Sequence, residues 1–205
     1  MRLSTSQIPD SDIKNPSLHW LIDLDNTVYT PQKSLMEIID QRIQYYISYK
    51  CRCDLAEAER IRLDIYHKHK HTFLGALKEK IILKSELPEF LDYCHNFDIK
   101  DQITPNAPIL SLLKKIQGNK YVFTNTVSKF THQILHVLKL KDTFKKIYCL
   151  ENLDFNYKPG RTSFKIILRD AMIKSQNVVL IDDDQKNLDT AINLGMKAYY
   201  PTYKS

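Results

Sequence analysis

Glycine is scarce in this chain, with only Gly75, Gly118, Gly160 and Gly195 in 205 residues. Neither a G-x-G-x-x-G turn nor a P-loop can be assembled from them, so both glycine-rich cradles for phosphates are excluded. Cysteine is sparse as well. Cys51, Cys53, Cys94 and Cys149 include one C-x-C pair, too tight for a structural zinc knuckle and without a second pair to complete it, so reduced thiols are expected. No apolar run approaches the roughly 18 residues that a membrane-spanning helix needs. Arg2 is followed by no apolar stretch of the signal-peptide kind. These absences lead us to expect a cytoplasmic protein with no membrane partner. Blocks of like charge are missing too. The net charge of +6 comes from lysines scattered over every segment, such as Lys78, Lys114, Lys139 and Lys146. A dispersed basic surface argues against nucleic acid and favours encounter with a small anionic substrate.

What is present describes a globular protein, with 43% hydrophobic and 26% charged residues. The length allows one domain with an insert or two small domains. Five short apolar runs read as strands: LHWLID, KYVFT (120–124), KIYCL (146–150), NVVLI (177–181) and KAYY (197–200). Helical patterns lie between them over 107–117, 129–138, 161–174 and 185–194. Such alternation predicts an α/β fold, a Rossmann-like core with a parallel five-stranded sheet covered on both faces. Residues 32–102 break the alternation with helical runs only, and are too long for a loop. We therefore expect an all-helical insert at 32–102 within a catalytic core formed by 1–31 and 103–205.

In LIDLDNTVYT, residues 21–30, Asp23 and Asp25 follow directly on an apolar strand. Aspartates after a strand are ordinary turn residues, but the pattern recurs where IDDDQKN follows VVLI. Ligands of open α/β sheets sit outside the carboxyl ends of the strands. There this chain places Asp23 and Asp25, then Thr124 and Asn125, then Asp182 and Asp183, with Lys158 of NYKPG able to join them. Clustered carboxylates with a single lysine call for a cation, and oxygen-only donors suit Mg²⁺. With the metal present, an aspartate becomes a credible nucleophile toward phosphorus, and Thr, Asn and Lys can stabilise the transferring phosphoryl group.

The motifs D-L-D-N-T at 23–27, T-N at 124–125, K-P at 158–159 and I-D-D-D at 181–184 resemble, in order, the four motifs of the haloacid dehalogenase (HAD) superfamily. The resemblance implies that Asp23 is the nucleophile and Asp25 the general acid and base. It implies that Thr124 and Asn125 bind phosphate and that Lys158 balances charge. Mg²⁺ would be held by Asp23, Asp182, Asp183 and the backbone carbonyl of Asp25. Asp184 is expected to cap the following helix and Thr27 to order the loop. D-L-D-N-T-V-Y, the helical insert and D-D-x-x-x-N further resemble the pyrimidine 5′-nucleotidase-like phosphatases, in which the insert is a cap that favours small substrates. That group carries T-L-R-G in the cap. This chain reads HTFLGAL, which puts Leu74 in the arginine's place.

The expected activity is thus Mg²⁺-dependent hydrolysis of a small phosphorylated metabolite, with a pyrimidine nucleoside 5′-monophosphate as the finer reading. A phosphosugar phosphatase or phosphomutase of the same superfamily is the alternative, and a non-catalytic phospho-ligand binding protein a third. His67 and His71, like His132 and His136, have the spacing of one helical turn but no third ligand, and read as solvated helix faces. Whether His67, His69 or His71 touches substrate is left open, as is the oligomeric state. Tyr45, Tyr46 and Tyr49 read as helix packing.

Overall fold

The computed structural model describes residues 3–69 and 71–203. In chain order its elements begin with α1 (Asp10–Ile13), β1 (His19–Ile22) and β2 (Tyr29–Pro31). Four helices follow: α2 (Lys33–Cys51), α3 (Leu55–His69), α4 (Thr72–Lys78) and α5 (Leu87–His95). Then come β3 (Ile103–Pro105), α6 (Ala107–Lys115), β4 (Asn119–Phe123), α7 (Ser128–Val137) and β5 (Lys146–Tyr148). The last are α8 (Arg161–Asp170), β6 (Val178–Ile181), α9 (Gln185–Asn193) and β7 (Lys197–Tyr199). The chain divides into two compact units, Met1–Pro31 with Ile103–Ser205, and Gln32–Gln102.

The larger unit is a five-stranded sheet in the order β5-β4-β1-β6-β7, parallel throughout. This is the α/β arrangement that the alternating runs predict. Trp20, Leu21 and Ile22 in β1 and all of β6 have no exposed surface. Strands covered on both faces need continuous apolar runs rather than alternation, which HWLI and VVLI supply. Parallel neighbours require crossovers, and α6, α7, α8 and α9 provide them. Helix boundaries follow local chemistry. Asp184 caps α9, as expected, by accepting the Lys186 N–H at 2.8 Å. Pro108 occupies the first turn of α6, with Lys114 and Lys115 in its last.

One layer of the core joins Leu21, Phe123, Tyr148 and Leu180 from the sheet to Phe164, Ile167, Leu188 and Ala191 from α8 and α9. Phe123 and Phe164 meet edge to face at 4.9 Å. Each such side chain contributes about 1.5–3 kcal/mol by leaving water. A second, two-stranded sheet pairs β2 with β3, antiparallel, Thr30 opposite Thr104. The sequence pattern does not reveal it, because three residues are too few for a period.

The smaller unit is described by itself. In α2, Leu35, Ile39, Ile43 and Ile47 are buried, a four-residue spacing that keeps one stripe of the helix apolar. That helix packs on α3 and α5, and α3 packs on α4. Tyr46 packs on Phe90 with ring centroids 4.6 Å apart and the rings tilted, whereas Tyr45 and Tyr49 are exposed, so only the middle tyrosine packs as expected. His67, His132 and His136 are exposed on their helices, as expected, whereas His71 is not. His67 and His69 belong to α3, but His71 precedes α4 as its N-cap, so His67 and His71 do not share a helix face. Burial pulls His71 down to about 4, and His69 contacts Glu79 at 2.6 Å. Among the described residues all four cysteines are free thiols, and no helix is long and apolar enough to cross a membrane.

Gly118, just before β4, lies against the start of β1. A Cβ there would stand 2.2 Å from the Leu18 carbonyl oxygen and 3.1 Å from Trp20 Nε1. Backbone cannot yield as a side-chain tip can. Gly118→Ala should therefore cost about 1–3 kcal/mol and lower the Tm by about 2–4 °C per kcal/mol. An unchanged melting curve would contradict this close approach.

Candidate active site

The sheet register assembles the site. Ile22 lies beside Val122 and Ile181, so the next residues of each strand emerge together at the carboxyl edge. The ladder continues one step into the functional residues. The N–H of Asp23 donates to Ile181 at 3.0 Å, that of Thr124 to Tyr148 at 3.0 Å and that of Asp182 to Tyr199 at 3.3 Å. Strand order reverses here, since β1 leads to β4 and β5 on one side while β6 and β7 lie on the other. Such a switch point is where open α/β sheets bind ligands.

Lys158 lies at the centre, 3% exposed. Its ammonium donates to Asp23 Oδ1 at 2.7 Å and to Asp182 Oδ2 at 2.6 Å, and stands 5.0 Å over the Phe123 ring. Burial pulls its pKa down, but Asp182 and Asp23 outweigh that and drive it up, so the lysine is charged. Asp182, fully buried, accepts further from the Asp184 N–H at 2.9 Å and Asn187 Nδ2 at 2.8 Å. Thr27 donates to Asp23 Oδ2 at 3.2 Å, ordering the loop as expected.

Asp23, Asp182 and Asp183 each offer an oxygen within 4.8 Å of the others. Burial drives Asp23 well above the usual carboxylate range; Lys158 opposes, and Asp182 and Asp25 push further up. Partial burial and then Asp182 raise Asp183 to about 6. Ionised together, the three carboxylates against one ammonium would leave two negative charges unbalanced. A hard divalent cation fits both that surplus and an all-oxygen donor set.

Asp25 sits in different surroundings. Its carboxylate is not part of the cluster; Tyr29 donates to Oδ1, and Thr126 donates to Oδ2 at 2.6 Å. Thr124, fully buried, reaches the same oxygen only at 3.5 Å. Burial and then Asp25 drive the Tyr29 phenol far up, so it remains protonated. The Asn125 side chain is engaged with the lysine loop. Its Nδ2 donates to the Lys158 carbonyl at 3.0 Å and its Oδ1 accepts the Lys158 N–H at 2.8 Å. The amide thus fastens the lysine loop to the end of β4.

The structure therefore brings Asp23, Asp25, Thr124, Asn125, Lys158, Asp182 and Asp183 to one sheet edge. Sequence reasoning missed Tyr29, which lies within D-L-D-N-T-V-Y four residues after Asp25, and Thr126, the residue directly after the T-N motif. It also missed Tyr203, whose hydroxyl donates to the Asn26 carbonyl, since no spacing joins positions so far apart.

In the yeast Saccharomyces cerevisiae, Phosphate metabolism protein 8 is 24% identical over 208 residues, covering 93% of this chain and 62% of that protein. The chain thus spans under two thirds of that relative's length. A HAD phosphatase from Thermococcus onnurineus superposes with a TM-score of 0.62 at 18% identity, covering 88% of this chain and 84% of the other. A HAD-family enzyme from Bacteroides thetaiotaomicron, in complex with magnesium and inorganic phosphate, gives 0.57 at 19% identity, covering 92% and 96%. Residues 20–200 match the haloacid dehalogenase-like hydrolases, a span of most of the chain, and the protein belongs to that family.

Proposed function

We propose that the protein is a Mg²⁺-dependent phosphomonoesterase that hydrolyses a small phosphorylated metabolite through an aspartyl-phosphate on Asp23. A nucleoside 5′-monophosphate, pyrimidine by the motif resemblance, is the finer reading. The observation that carries the proposal is the contrast between two neighbouring aspartates. Asp23 touches Lys158 within a carboxylate cluster, and Asp25 is held apart by hydroxyls. Such a difference in environment separates a nucleophile from an acid–base residue. The magnesium and phosphate of the Bacteroides enzyme support the same chemistry.

Asp23 attacks phosphorus, and Asp25 gives its proton to the departing oxygen. Water then attacks the same phosphorus, Asp25 takes the water's proton, and the Asp23 carboxylate is released with inorganic phosphate. Lys158 offsets the charge on Asp23 and the incoming phosphate, while the Thr124 hydroxyl and the Asn125 main-chain N–H donate to phosphoryl oxygens. Asp23, Asp182, Asp183 and the Asp25 carbonyl would hold Mg²⁺, which when bound neutralises the phosphate dianion. The helical unit Gln32–Gln102 serves in this reading as the cap that limits the site to small substrates. Dehalogenation would need neither the proton of Asp25 nor the acidic pair after β6.

Phosphate release from a panel of nucleotides, sugar phosphates and aryl phosphates tests the proposal. Release should require Mg²⁺, vanish on chelation and return when the metal is restored; full activity in chelator would overturn the scheme. Asp25→Asn should slow turnover by about 10²-fold or more. The loss should be greater for alkyl than for nitrophenyl phosphates, whose leaving group needs less protonation. Equal losses on both would make Asp25 structural.

A further inference from the structure

Asp25 changes protonation state twice in each proposed turnover, and its side chain must stay in place through both changes. Tyr29 holds one oxygen and Thr126 the other, and both donors are themselves fixed. The turn after Asp25 is closed by N–H groups of Thr27 and Val28 donating to the Leu24 carbonyl at 3.1 and 2.9 Å, with Asn26 in the left-handed region at φ 53. This turn returns the chain so that Tyr29, four residues on and with no exposed surface, lies against Asp25. Pairing of Tyr29 with Pro105 and the Asn106 amide's donation to the Thr27 carbonyl at 2.9 Å anchor the far side. On the other loop, the Thr126 N–H donates to Thr124 Oγ1 at 3.1 Å, and the Thr126 carbonyl accepts from Leu150 at 3.1 Å.

The chemistry of these partners matters. Lysine or arginine can only donate and would lock Asp25 as a carboxylate. A hydroxyl donates to the carboxylate and accepts from the carboxylic acid. By rotating a single O–H bond it satisfies either state without moving the carboxyl group.

We infer that Tyr29 and Thr126 are positioning residues that clamp Asp25 between two amphoteric hydroxyls, keeping it aimed at the leaving oxygen both before and after it gives up its proton. The inference rests on the acid–base role proposed for Asp25.

Steady-state kinetics of Tyr29→Phe and Thr126→Val on an alkyl phosphate and on nitrophenyl phosphate test this. Each variant should lose about tenfold in kcat on the alkyl ester, the scale of one hydrogen bond to a charged group. KM should be unchanged, the loss on the aryl ester smaller, and Thr126→Ser close to wild type. The alkyl-to-aryl ratio is independent of the fraction of folded enzyme, so a destabilised variant still gives an answer. In an Asp25→Asn background neither substitution should have any further effect, because the group they position is gone. Wild-type ratios in both variants, or the same fold-loss in the Asp25→Asn background, would overturn the clamp. If Asp25→Asn alone leaves turnover intact, it is the proposed function that fails. If Asp25→Asn is impaired while Tyr29→Phe and Thr126→Val are not, only the clamp fails.

Discussion

The buried ammonium of Lys158, shared between Asp23 and Asp182, is the interaction on which the site depends. Burying these charges is costly, and removing one partner of a buried pair typically costs about 3–5 kcal/mol. The arrangement survives because every surrounding element contributes. Register sets Asp23 and Asp182 side by side at the ends of β1 and β6. Asn125 grips the lysine main chain from the end of β4. The Phe123 ring lies beneath the ammonium, and Asn187 holds the second oxygen of Asp182. A parallel sheet with its strand order reversed at β1 and β6 brings such distant residues to one edge.

The bridge leaves the site incompletely neutralised, and the proposed metal-assisted chemistry draws on that imbalance. Three carboxylates around one ammonium form a stable group when a divalent cation completes it. Asp25, two residues from Asp23, escapes this crowding because the turn at Asn26 directs it toward neutral hydroxyls. One short loop thus sets two carboxyl groups in different electrostatic surroundings, the division of labour on which the proposed phosphoryl transfer relies.

Much of this was legible in the sequence, for physical reasons. The core strands announce themselves because HWLI and VVLI are continuous apolar runs, as central parallel strands must be. The carboxylates stand out because they follow those runs directly. Other features were hidden because they depend on tertiary neighbours. The pairing of β2 with β3 rests on three residues a side. Asn125 could bond phosphate or main chain equally well, and only the Lys158 loop decides between them. By contrast, the spacing of Ile39, Ile43 and Ile47 puts Tyr46 on the buried stripe of α2 and Tyr45 and Tyr49 off it, a distinction that reading all three as helix packing overlooks. Tyr29 reads as an ordinary strand residue until the turn folds its phenol onto Asp25.

The central claim is that Asp23 forms a covalent bond to phosphorus. Acid quenching during steady-state turnover of a phosphomonoester, followed by peptide mass spectrometry, tests it most directly. The account predicts a phosphoryl group on the peptide containing Asp23. It also predicts that Asp23→Asn, nearly isosteric with the wild type, carries no adduct and releases no phosphate while keeping its fold. An Asp23→Asn protein that still released phosphate at more than about a hundredth of the wild-type rate, well above the residue left when a nucleophile is lost, would contradict the account.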